Sequence, residues 1–480
     1  MFFSFQSRPK LRDVTALRQS PFSKSLLGLA IMSAVSVSAQ AADNLPPAKV
    51  VNPMTKSGVA SQSESRTIKQ RLLDPNASAD KNEFINDAYV AQKARLFVEC
   101  TKVQTDAARL ACFDKVAEEG MTPTFVNGSK RPLDVAKTLQ STITGKPQVV
   151  LAENVTQIDA ETVEDADVVL VTNEPIAPER LKARGIDADE AQILEEVGVS
   201  QADIEKYTPL SLLYDLDKNS ERGTWTARPH RPMYLLPVFL NLDPNRNPSS
   251  PTQELERPYT STEMRTPELK LQISLKTKVL EDLFDTEADL WFGYTQQSHW
   301  QVFNAENSRP FRATDYEPEV FLTQPVTANL PFGGRLRMLG AGAVHHSNGQ
   351  DDPLSRSWNR AYVMAGAEWG KLTVIPRLWT RIKNEGGGDL DDNPDITDFM
   401  GHGDLTFLYD LPDKKSLSGT LRYNPKTQRG AAQLDYVYPL TKDISGYIQL
   451  FQGYGESIID YNHNNTAIGA GIMLSDWKGL

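Results

Sequence analysis

The feature that most constrains this chain is an alternation of apolar and polar residues that starts after about residue 228 and continues to the C-terminal end. Successive side chains of a β-strand point to opposite faces, so a period of two predicts strands with one apolar and one polar face. About a dozen such segments follow one another, separated by turn signals such as Asn348-Gly349 and Asn424-Pro425. The clearest segment alternates Leu269, Leu271, Ile273 and Leu275 with Lys270, Gln272, Ser274 and Lys276.

The start of the chain indicates where these strands belong. A basic stretch that includes Arg8, Lys10 and Arg12 precedes an apolar run from Leu26 to Val37, and the small-residue pattern Ala39-Gln40-Ala41 follows. This order is typical of a secretory signal peptide, so we predict that residues 1–41 are removed before Ala42. The rest of the chain has no unbroken apolar run of about 18 residues, so a helical membrane span is not expected.

A soluble β-sandwich would also alternate, but two observations favour a membrane barrel. One is the secretion signal, and the other is a set of aromatic residues near the ends of the predicted strands, as expected of interfacial girdles: Trp291, Trp300, Tyr436, Tyr438 and Tyr454. The mean hydropathy of -0.42 does not oppose a barrel, since alternating strands have a mild average. The formal net charge of -11 argues against a nucleic-acid binder.

We therefore predict an all-β fold, a transmembrane antiparallel β-barrel of about 12 strands over residues 226–480. Closure into a barrel removes the sheet edges that lipid does not tolerate. The predicted location is the outer membrane of a Gram-negative cell, with the outer-membrane barrel assembly machinery as the partner for insertion.

Residues 42–225 are predicted to form an N-terminal extension with three parts. A lead to about residue 80 is rich in Ser, Asn, Lys and Pro and is predicted to be disordered. A helical segment follows from Asn82 to Glu119, in which Cys100 and Cys112 could form one disulfide in an oxidising compartment. An acidic stretch over residues 150–208 is interpreted as a linker or accessory region, with a short helix-turn-helix in its second half.

The most informative motif for chemistry is the run from Gly342 to Gly349. His345 and Ser347 are two residues apart on a predicted strand and therefore share a face. Asn359 lies near the start of the next strand, where its amide could orient the imidazole of His345 across the ladder. A nucleophile, a base and a group that orients the base are the parts of a hydrolase site. A His-x-Ser pair alone is a weak signal, and the alternative is a solvated loop.

The two faces of the predicted strands sharpen this hypothesis. Ala341 and Ala343 share the face of His345, and Val363 shares the face of Asn359, so these polar residues are expected on the lipid-facing wall near one rim. A polar cluster there is costly unless it has a function, which favours a lipid substrate over transport through the lumen. Gln296 is also predicted on the outer face, where it either pairs with a second subunit or lies above the membrane.

A set of motifs in this order resembles the outer membrane phospholipase A family, from roughly Arg228 to Trp477. The motifs are Tyr294-Thr295-Gln296 with Trp300, Ser308 to Arg312, Tyr316-Glu317-Pro318, His345 to Gly349, Asp352-Pro353, Ser355 to Arg360, Asp391 to Thr397, and Gly453 to Ser457. The resemblance implies calcium-dependent hydrolysis of phospholipid acyl esters, with phospholipase A1, phospholipase A2 and lysophospholipase activities. It also implies a homodimer as the active form.

The resemblance further implies a role for each matching residue. Ser347 would be the nucleophile, His345 the general base and then the acid, and Asn359 the residue that orients His345. The implied calcium ligands are the Gln350 carbonyl, the Ser355 hydroxyl and Ser308 of the other subunit, with Asp352 and Asp392 at a weaker site; Gln296 would lie in the dimer interface.

Two alternatives to this enzyme remain at the level of sequence. One is a non-catalytic outer-membrane channel or structural barrel with a decayed site, although the intact set of Ser347, His345, Asn359 and Ser355 weighs against it. The other is a barrel whose extension binds a periplasmic or surface partner.

Overall fold

The computed structural model describes residues 81–118, 133–135, 148–151, 167–170, 176–217, 223–284, 286–305, 308, 311–382, 391–441 and 444–475. The expected signal peptide and the expected disordered lead lie outside these residues.

The dominant element is a closed antiparallel β-barrel, which within the described residues has twelve strands. Neighbouring strands pair in chain order, and the last strand pairs with the first, with Ala467 opposite Asn241. This confirms the predicted fold class. The strands are β1 Met233–Asn241, β2 Pro267–Leu283, β3 Ala288–Trp300, β4 Ala313–Leu330, β5 Gly334–Ser347, β6 Ser357–Trp369, β7 Leu372–Ile382, β8 Gly403–Asp410, β9 Ser416–Asn424, β10 Arg429–Pro439, β11 Ser445–Tyr454 and β12 Asn464–Ser475.

The alternation in the sequence becomes an inner and an outer wall. On β2 the side chains of Lys270, Lys276 and Lys278 are buried in the lumen, whereas Ile273 and Leu275 are exposed on the outside. Large apolar side chains are exposed on the outer wall all around the barrel, for example Val238, Val320, Val363, Leu378, Leu405, Leu421, Leu434, Leu450 and Ile468. An apolar outer wall of this kind is the surface that a membrane barrel presents to lipid.

Trp291 is an exception to the predicted aromatic girdle, and the prediction for it was wrong. Its side chain is fully buried, and its Nε1 donates a hydrogen bond to Thr323 Oγ1 at 2.9 Å. Trp291 lies between the outward-facing Leu290 and Phe292, so the same alternation that builds the wall turns its side chain into the lumen.

The two ends of the barrel differ in the length of their connections. Short turns close one end at residues 284–287, 331–333, 370–371, 411–415 and 440–444. Most connections at the opposite end are longer, at residues 242–266, 301–312, 348–356, 383–402 and 455–463. Outer-membrane barrels have short periplasmic turns and longer extracellular loops. Ser347 and Ser357 border one of the long connections and therefore lie at the rim that carries the long connections.

A small helical unit precedes the barrel. Its helices are α1 Lys81–Cys100, α2 Asp106–Glu118, α3 Pro178–Arg184, α4 Ala188–Val197 and α5 Gln201–Glu205. A disulfide joins Cys100 to Cys112, and both are buried with Leu96, Leu194 and Ile204 in one apolar core. Among the described residues, no helix has both the length and the hydropathy to cross a membrane.

A sixth helix, α6 (Pro209–Tyr214), enters the barrel lumen from the short-turn end. Leu210 and Leu213 are buried there in one cluster with lumen residues of β3 to β7. Gly366 permits the close approach, because a Cβ at this position would stand 3.0 Å from a methyl carbon of Leu210. Just after the helix, Asp215 pairs with Lys278 at 2.8 Å.

Further ion pairs hold this part of the chain at the short-turn rim. Asp217 lies 2.8 Å from Arg337, and Arg337 also lies 3.3 Å from Glu368. Glu205 at the end of α5 is 3.2 Å from Arg335, which follows the turn at residues 331–333. The short-turn end of the lumen is therefore filled by the chain's own N-terminal segment.

Leu213 and its neighbour Leu212 give a matched test of this packing, because their exposed fractions are 4% and 41%. We expect Leu213→Ala to weaken the docking of α6 by about 2–5 kcal/mol, since it leaves a cavity in a packed core. Amide hydrogen exchange of α6, followed by mass spectrometry, should then accelerate at least about thirtyfold if α6 opens locally. Leu212→Ala should leave the exchange unchanged; equal acceleration in both variants would contradict lumen packing.

Candidate active site

His345 and Asn359 are brought together on the outer wall of the barrel. They are directly opposite each other in the β5–β6 register, and His345 Nδ1 lies 2.7 Å from Asn359 Oδ1. The amide oxygen can only accept, so the imidazole nitrogen that faces it carries the proton. In the neutral ring the second nitrogen, Nε2, then holds the free lone pair that a general base needs.

Ser347 occupies the last position of β5, two residues after His345 and on the same face. Its register partners are Ser357 on β6 and Tyr316 on β4. Within the part of the chain that the structure describes, neither Ser347 Oγ nor His345 Nε2 makes a hydrogen bond. Nucleophile–base contacts are often long before substrate binds, so this geometry is compatible with a resting hydrolase site.

The exposure of the side chains follows the predicted alternation. His345 is exposed and Ser347 and Asn359 are half-buried, whereas the intervening His346 and Trp358 are buried in the lumen. Below His345 on the same outer face, β5 carries only Ala343, Ala341 and Leu339. The three polar residues thus interrupt an otherwise apolar wall at the rim.

The connection after Ser347 is held by a small hydrogen-bond network. Asn348 Nδ2 donates to the Leu354 carbonyl at 2.7 Å, and Asn348 Oδ1 accepts from the backbone N–H of Arg356 at 3.0 Å. The Arg356 guanidinium is buried and donates to the Pro353 carbonyl at 3.1 Å. These contacts close the connection into a compact loop that carries Gln350, Asp352 and Ser355, three of the residues predicted to bind calcium.

The structure brings only some of the predicted metal ligands together. Ser355 Oγ donates to Asp392 Oδ2 at 2.7 Å, which places Asp392 beside the loop. Asp352 instead accepts a hydrogen bond from Gln253 Nε2 at 2.9 Å. Ser308 lies in the β3–β4 connection, where its carbonyl accepts from Trp300 Nε1 at 2.6 Å. Gln350 Nε2 reaches the same connection, 3.4 Å from the Arg312 carbonyl.

Arg312 fixes this rim through two buried carboxylates. Its guanidinium lies 2.5 Å from Glu268 and 2.8 Å from Asp460, which belongs to the β11–β12 connection. Burial by itself would raise the pKa of the Asp460 carboxyl, but the Arg312 charge together with hydrogen bonds from Arg312, Ser457 and Asn245 outweighs burial and holds that pKa below its ordinary value. The carboxylate therefore stays ionised and keeps the two connections joined.

The chemistry of the predicted calcium ligands suits a hard cation. Ser355, Asp392 and the Gln350 carbonyl supply oxygen atoms only, which is the donor type that calcium prefers. Among the described residues, no group of three or more His, Cys, Asp and Glu side chains is arranged to hold a metal ion. A calcium site here would accordingly be built largely from hydroxyl and carbonyl oxygens.

Gln296 lies on the outer wall in the same row as Ser347. Its register partner on β4 is Tyr316, which in turn pairs with Ser347 on β5. Gln296 Oε1 accepts from the Tyr294 hydroxyl at 3.1 Å, and its Nε2 lies 3.4 Å from Ser298 Oγ. Tyr316 has no role in the sequence-based hypothesis. Its place between Gln296 and Ser347 depends on strand register, which no local pattern reveals.

The sequence also assigned no role to the inner neighbours of the site, His346 and Trp358. They are directly opposite each other in the β5–β6 register, behind the pair of His345 and Asn359. Alternation would have placed both in the lumen, but their contact depends on register.

Comparison with known proteins gives one consistent result. The sequence model of the phospholipase A1 family matches residues 210–474. A protein of Neisseria meningitidis serogroup B, also named for phospholipase A1, is 46% identical over 393 residues, which are 80% of this chain and 92% of that protein. Phospholipase A1 of Escherichia coli K12 is 43% identical over 213 residues, which are 44% of this chain and 71% of that protein.

Among solved structures, the outer membrane phospholipase A of Escherichia coli is similar with a TM-score of 0.48 and 36% identity, over 56% of this chain and 98% of that one. A Salmonella typhi outer membrane phospholipase dimer with bound calcium is similar with a TM-score of 0.47 and 35% identity, over 56% of this chain and 97% of that one.

The family match covers more than half of the chain, and it includes all twelve strands except Ser475, the last residue of β12. The apolar outer wall and the closed barrel place this protein in the outer membrane. The chain belongs to the phospholipase A1 family.

Proposed function

We propose that this chain hydrolyses phospholipid acyl esters with Ser347 as nucleophile, His345 as general base and Asn359 as the residue that orients the base. The observation that carries the proposal is the outward-facing hydrogen bond between His345 and Asn359, with Ser347 next to it on an apolar wall. The ester groups of a membrane phospholipid lie near the rim of such a wall, so substrate reaches the site from the bilayer.

The reaction follows from the protonation state of the pair. Ser347 Oγ attacks the ester carbonyl carbon while His345 Nε2 takes its proton. The tetrahedral intermediate collapses, and His345 gives that proton to the departing alcohol of the lysophospholipid. Water then attacks the acyl-serine, again with His345 as base, and the fatty acid leaves. Asn359 keeps the Nδ1 proton in place and the ring oriented throughout.

We propose phospholipase A1, phospholipase A2 and lysophospholipase activities together, on the basis of the family resemblance. The helix α6 fills the short-turn end of the lumen, which argues against a channel function.

Calcium is proposed as the cofactor, held by the Gln350 carbonyl, by Ser355 and by Ser308 of a second copy, with Asp352 and Asp392 at a weaker site. When bound, it supplies positive charge that stabilises the oxyanion. The support in this chain is the loop that presents oxygen donors next to Ser347, and the contact of Ser355 with Asp392.

A homodimer is proposed as the active form, with Gln296 in the interface. The Gln296 amide makes hydrogen bonds with Tyr294 and Ser298 on its own strand, which leaves one N–H donor and one acceptor lone pair on an apolar wall. A second copy of the same wall would supply a partner amide for these groups. The row of Gln296, Tyr316 and Ser347 would place this interface next to the nucleophile.

We also propose that residues 42–225 form an extension on the periplasmic side. The support is the contacts of its described part with the short-turn rim, where Arg180 donates to Asn329 at 2.8 Å and Glu205 pairs with Arg335. Short turns face the periplasm in outer-membrane barrels.

Ser347→Ala should abolish calcium-dependent release of fatty acid from phospholipid in mixed micelles, because it removes the nucleophile. The matched control is Ser357→Ala, which deletes the hydroxyl directly opposite Ser347 on the same wall. We expect this control to retain activity within about threefold, as for a surface change. Hydrolysis that survives Ser347→Ala would sink the catalytic assignment.

Removal of calcium with EDTA should stop hydrolysis, and added calcium should restore it. Ser355→Ala removes one proposed ligand, so we expect half-maximal activity at a calcium concentration at least about tenfold higher. The same titration on Ser357→Ala should match the unaltered chain. Activity that is indifferent to EDTA, or an unchanged titration in Ser355→Ala, would contradict the proposed site.

Gln296→Ala should reduce the dimer captured by chemical cross-linking in detergent with calcium. A hydrogen bond between amide side chains of two subunits in lipid is worth about 1–2 kcal/mol, so its loss should weaken dimerisation about tenfold. Gln452→Ala is the control, because Gln452 is an exposed glutamine on the outer wall at β11, which three strands separate from β3. Equal dimer yields for Gln296→Ala and the unaltered chain would argue against this interface.

A further inference from the structure

Behind the outward pair of His345 and Asn359 lies a second cross-strand pair that faces the lumen. His346 and Trp358 are directly opposite each other in the same register, and both are buried. Trp358 Nε1 donates a hydrogen bond to His346 Nδ1 at 3.3 Å. The proposed catalytic mechanism makes no use of either residue.

The chemistry of the indole determines the state of this histidine. An indole N–H can only donate, so His346 Nδ1 must hold a lone pair, and the imidazole is neutral with its proton on Nε2. His346 Nε2 lies 3.3 Å from Asp315 Oδ2 on β4, although the approach is too oblique for a hydrogen bond. Asp315 also accepts from the backbone N–H of Ile458 at 2.8 Å. The imidazole therefore stands between the indole and a fixed carboxylate.

The indole is itself held from its other sides. The Arg360 guanidinium lies 4.3 Å from the centre of the Trp358 ring, and Trp379 packs edge-on with ring centres 6.4 Å apart. Arg360 is in turn 3.3 Å from Glu317. Trp358 cannot turn away from His346 without losing these contacts, so the donor is preorganised.

We propose that His346 and Trp358 are positioning residues for the site on the opposite face of the sheet. The backbone ladder sets the spacing of β5 and β6. The hydrogen bond between His346 and Trp358 adds a restraint on the local twist of the two strands next to His345 and Asn359, and thereby helps to keep the outer pair within hydrogen-bond distance. The inference rests on the proposed role of Ser347, His345 and Asn359. A displacement of about 1 Å in such a site costs about hundredfold in rate.

Substitutions on the inner face separate positioning from general stability. His346→Leu removes the acceptor, and Trp358→Phe removes the donor while it keeps an aromatic ring against Arg360. His346→Asn is the conservative variant, because the amide oxygen of asparagine can take the place of Nδ1 as acceptor. Tyr362→Phe is the matched control: it deletes another buried lumen hydrogen bond on β6, from Tyr362 to Glu319 at 2.7 Å, away from the outer pair.

The readouts are kcat and KM for fatty-acid release and the rate at which an organophosphonate probe labels Ser347. We expect His346→Leu and Trp358→Phe to lower kcat and the labelling rate about tenfold to hundredfold, with KM within about twofold. His346→Asn and Tyr362→Phe should stay within about threefold of the unaltered chain. The combined His346→Leu, Trp358→Phe variant should lose no more than the worse single variant, because both remove the same bond.

Folding is checked for every variant by the shift of the heated and unheated barrel on a detergent gel. If His346→Leu fails to fold, Trp358→Phe and His346→Asn still decide the question. The proposal is overturned if the folded Trp358→Phe variant keeps full kcat, if His346→Asn falls as far as His346→Leu, or if Tyr362→Phe falls equally. Ser347→Ala tests the proposed function separately. Hydrolysis that persists in this variant would refute the proposed roles of Ser347, His345 and Asn359, and this inference with them.

Discussion

Every part of this structure depends on the need to pair the backbone N–H and C=O groups of segments that cross a membrane. Lipid offers no hydrogen bonds, so a sheet in the bilayer has to close on itself. The pairing of β12 with β1 completes this closure. Once the sheet is closed, each strand has one face toward lipid and one toward the lumen, and the position of every side chain follows from whether its place along the strand is odd or even.

The lumen shows the consequence for polar residues. Many of the lysines, arginines and carboxylates that the alternation turns inward form ion pairs, as with Lys270 and Glu456 at 3.3 Å and the directly opposed Arg377 and Asp404 at 2.6 Å. At the short-turn end, the lumen is closed by α6, whose Leu210 and Leu213 join the buried cluster there. The interior is therefore a packed, ion-paired core at the short-turn end. A small polar cavity adjoins this core and is lined by residues such as Arg231, Glu319 and Tyr447.

The outer wall shows the opposite consequence. Polar groups that face lipid are expensive, so the few that occur there need a reason. His345, Ser347 and Asn359 are grouped at one rim, two of them joined by a hydrogen bond, and a second hydrogen bond joins His346 and Trp358 on the lumen face of the same two strands. One sheet thus carries the proposed catalytic residues on its bilayer face and the proposed positioning residues on its lumen face, and a single register sets both pairs.

The sequence by itself determined the barrel and the outward direction of the site, because alternation along a strand is a local property that does not depend on which strands pair. It placed His345 and Ser347 on one face and Asn359 on the next strand, and the register confirms that His345 and Asn359 meet. The tertiary structure alone decided which distant residues touch: the entry of α6 into the lumen, the contact of Ser355 with Asp392, and the bond between Trp358 and His346. The predicted girdle position of Trp291 is wrong because its parity along the strand, and not its nearness to a strand end, determines that its side chain faces the lumen. Such contacts depend on register and on closure between segments far apart in the chain, which a period of two does not encode.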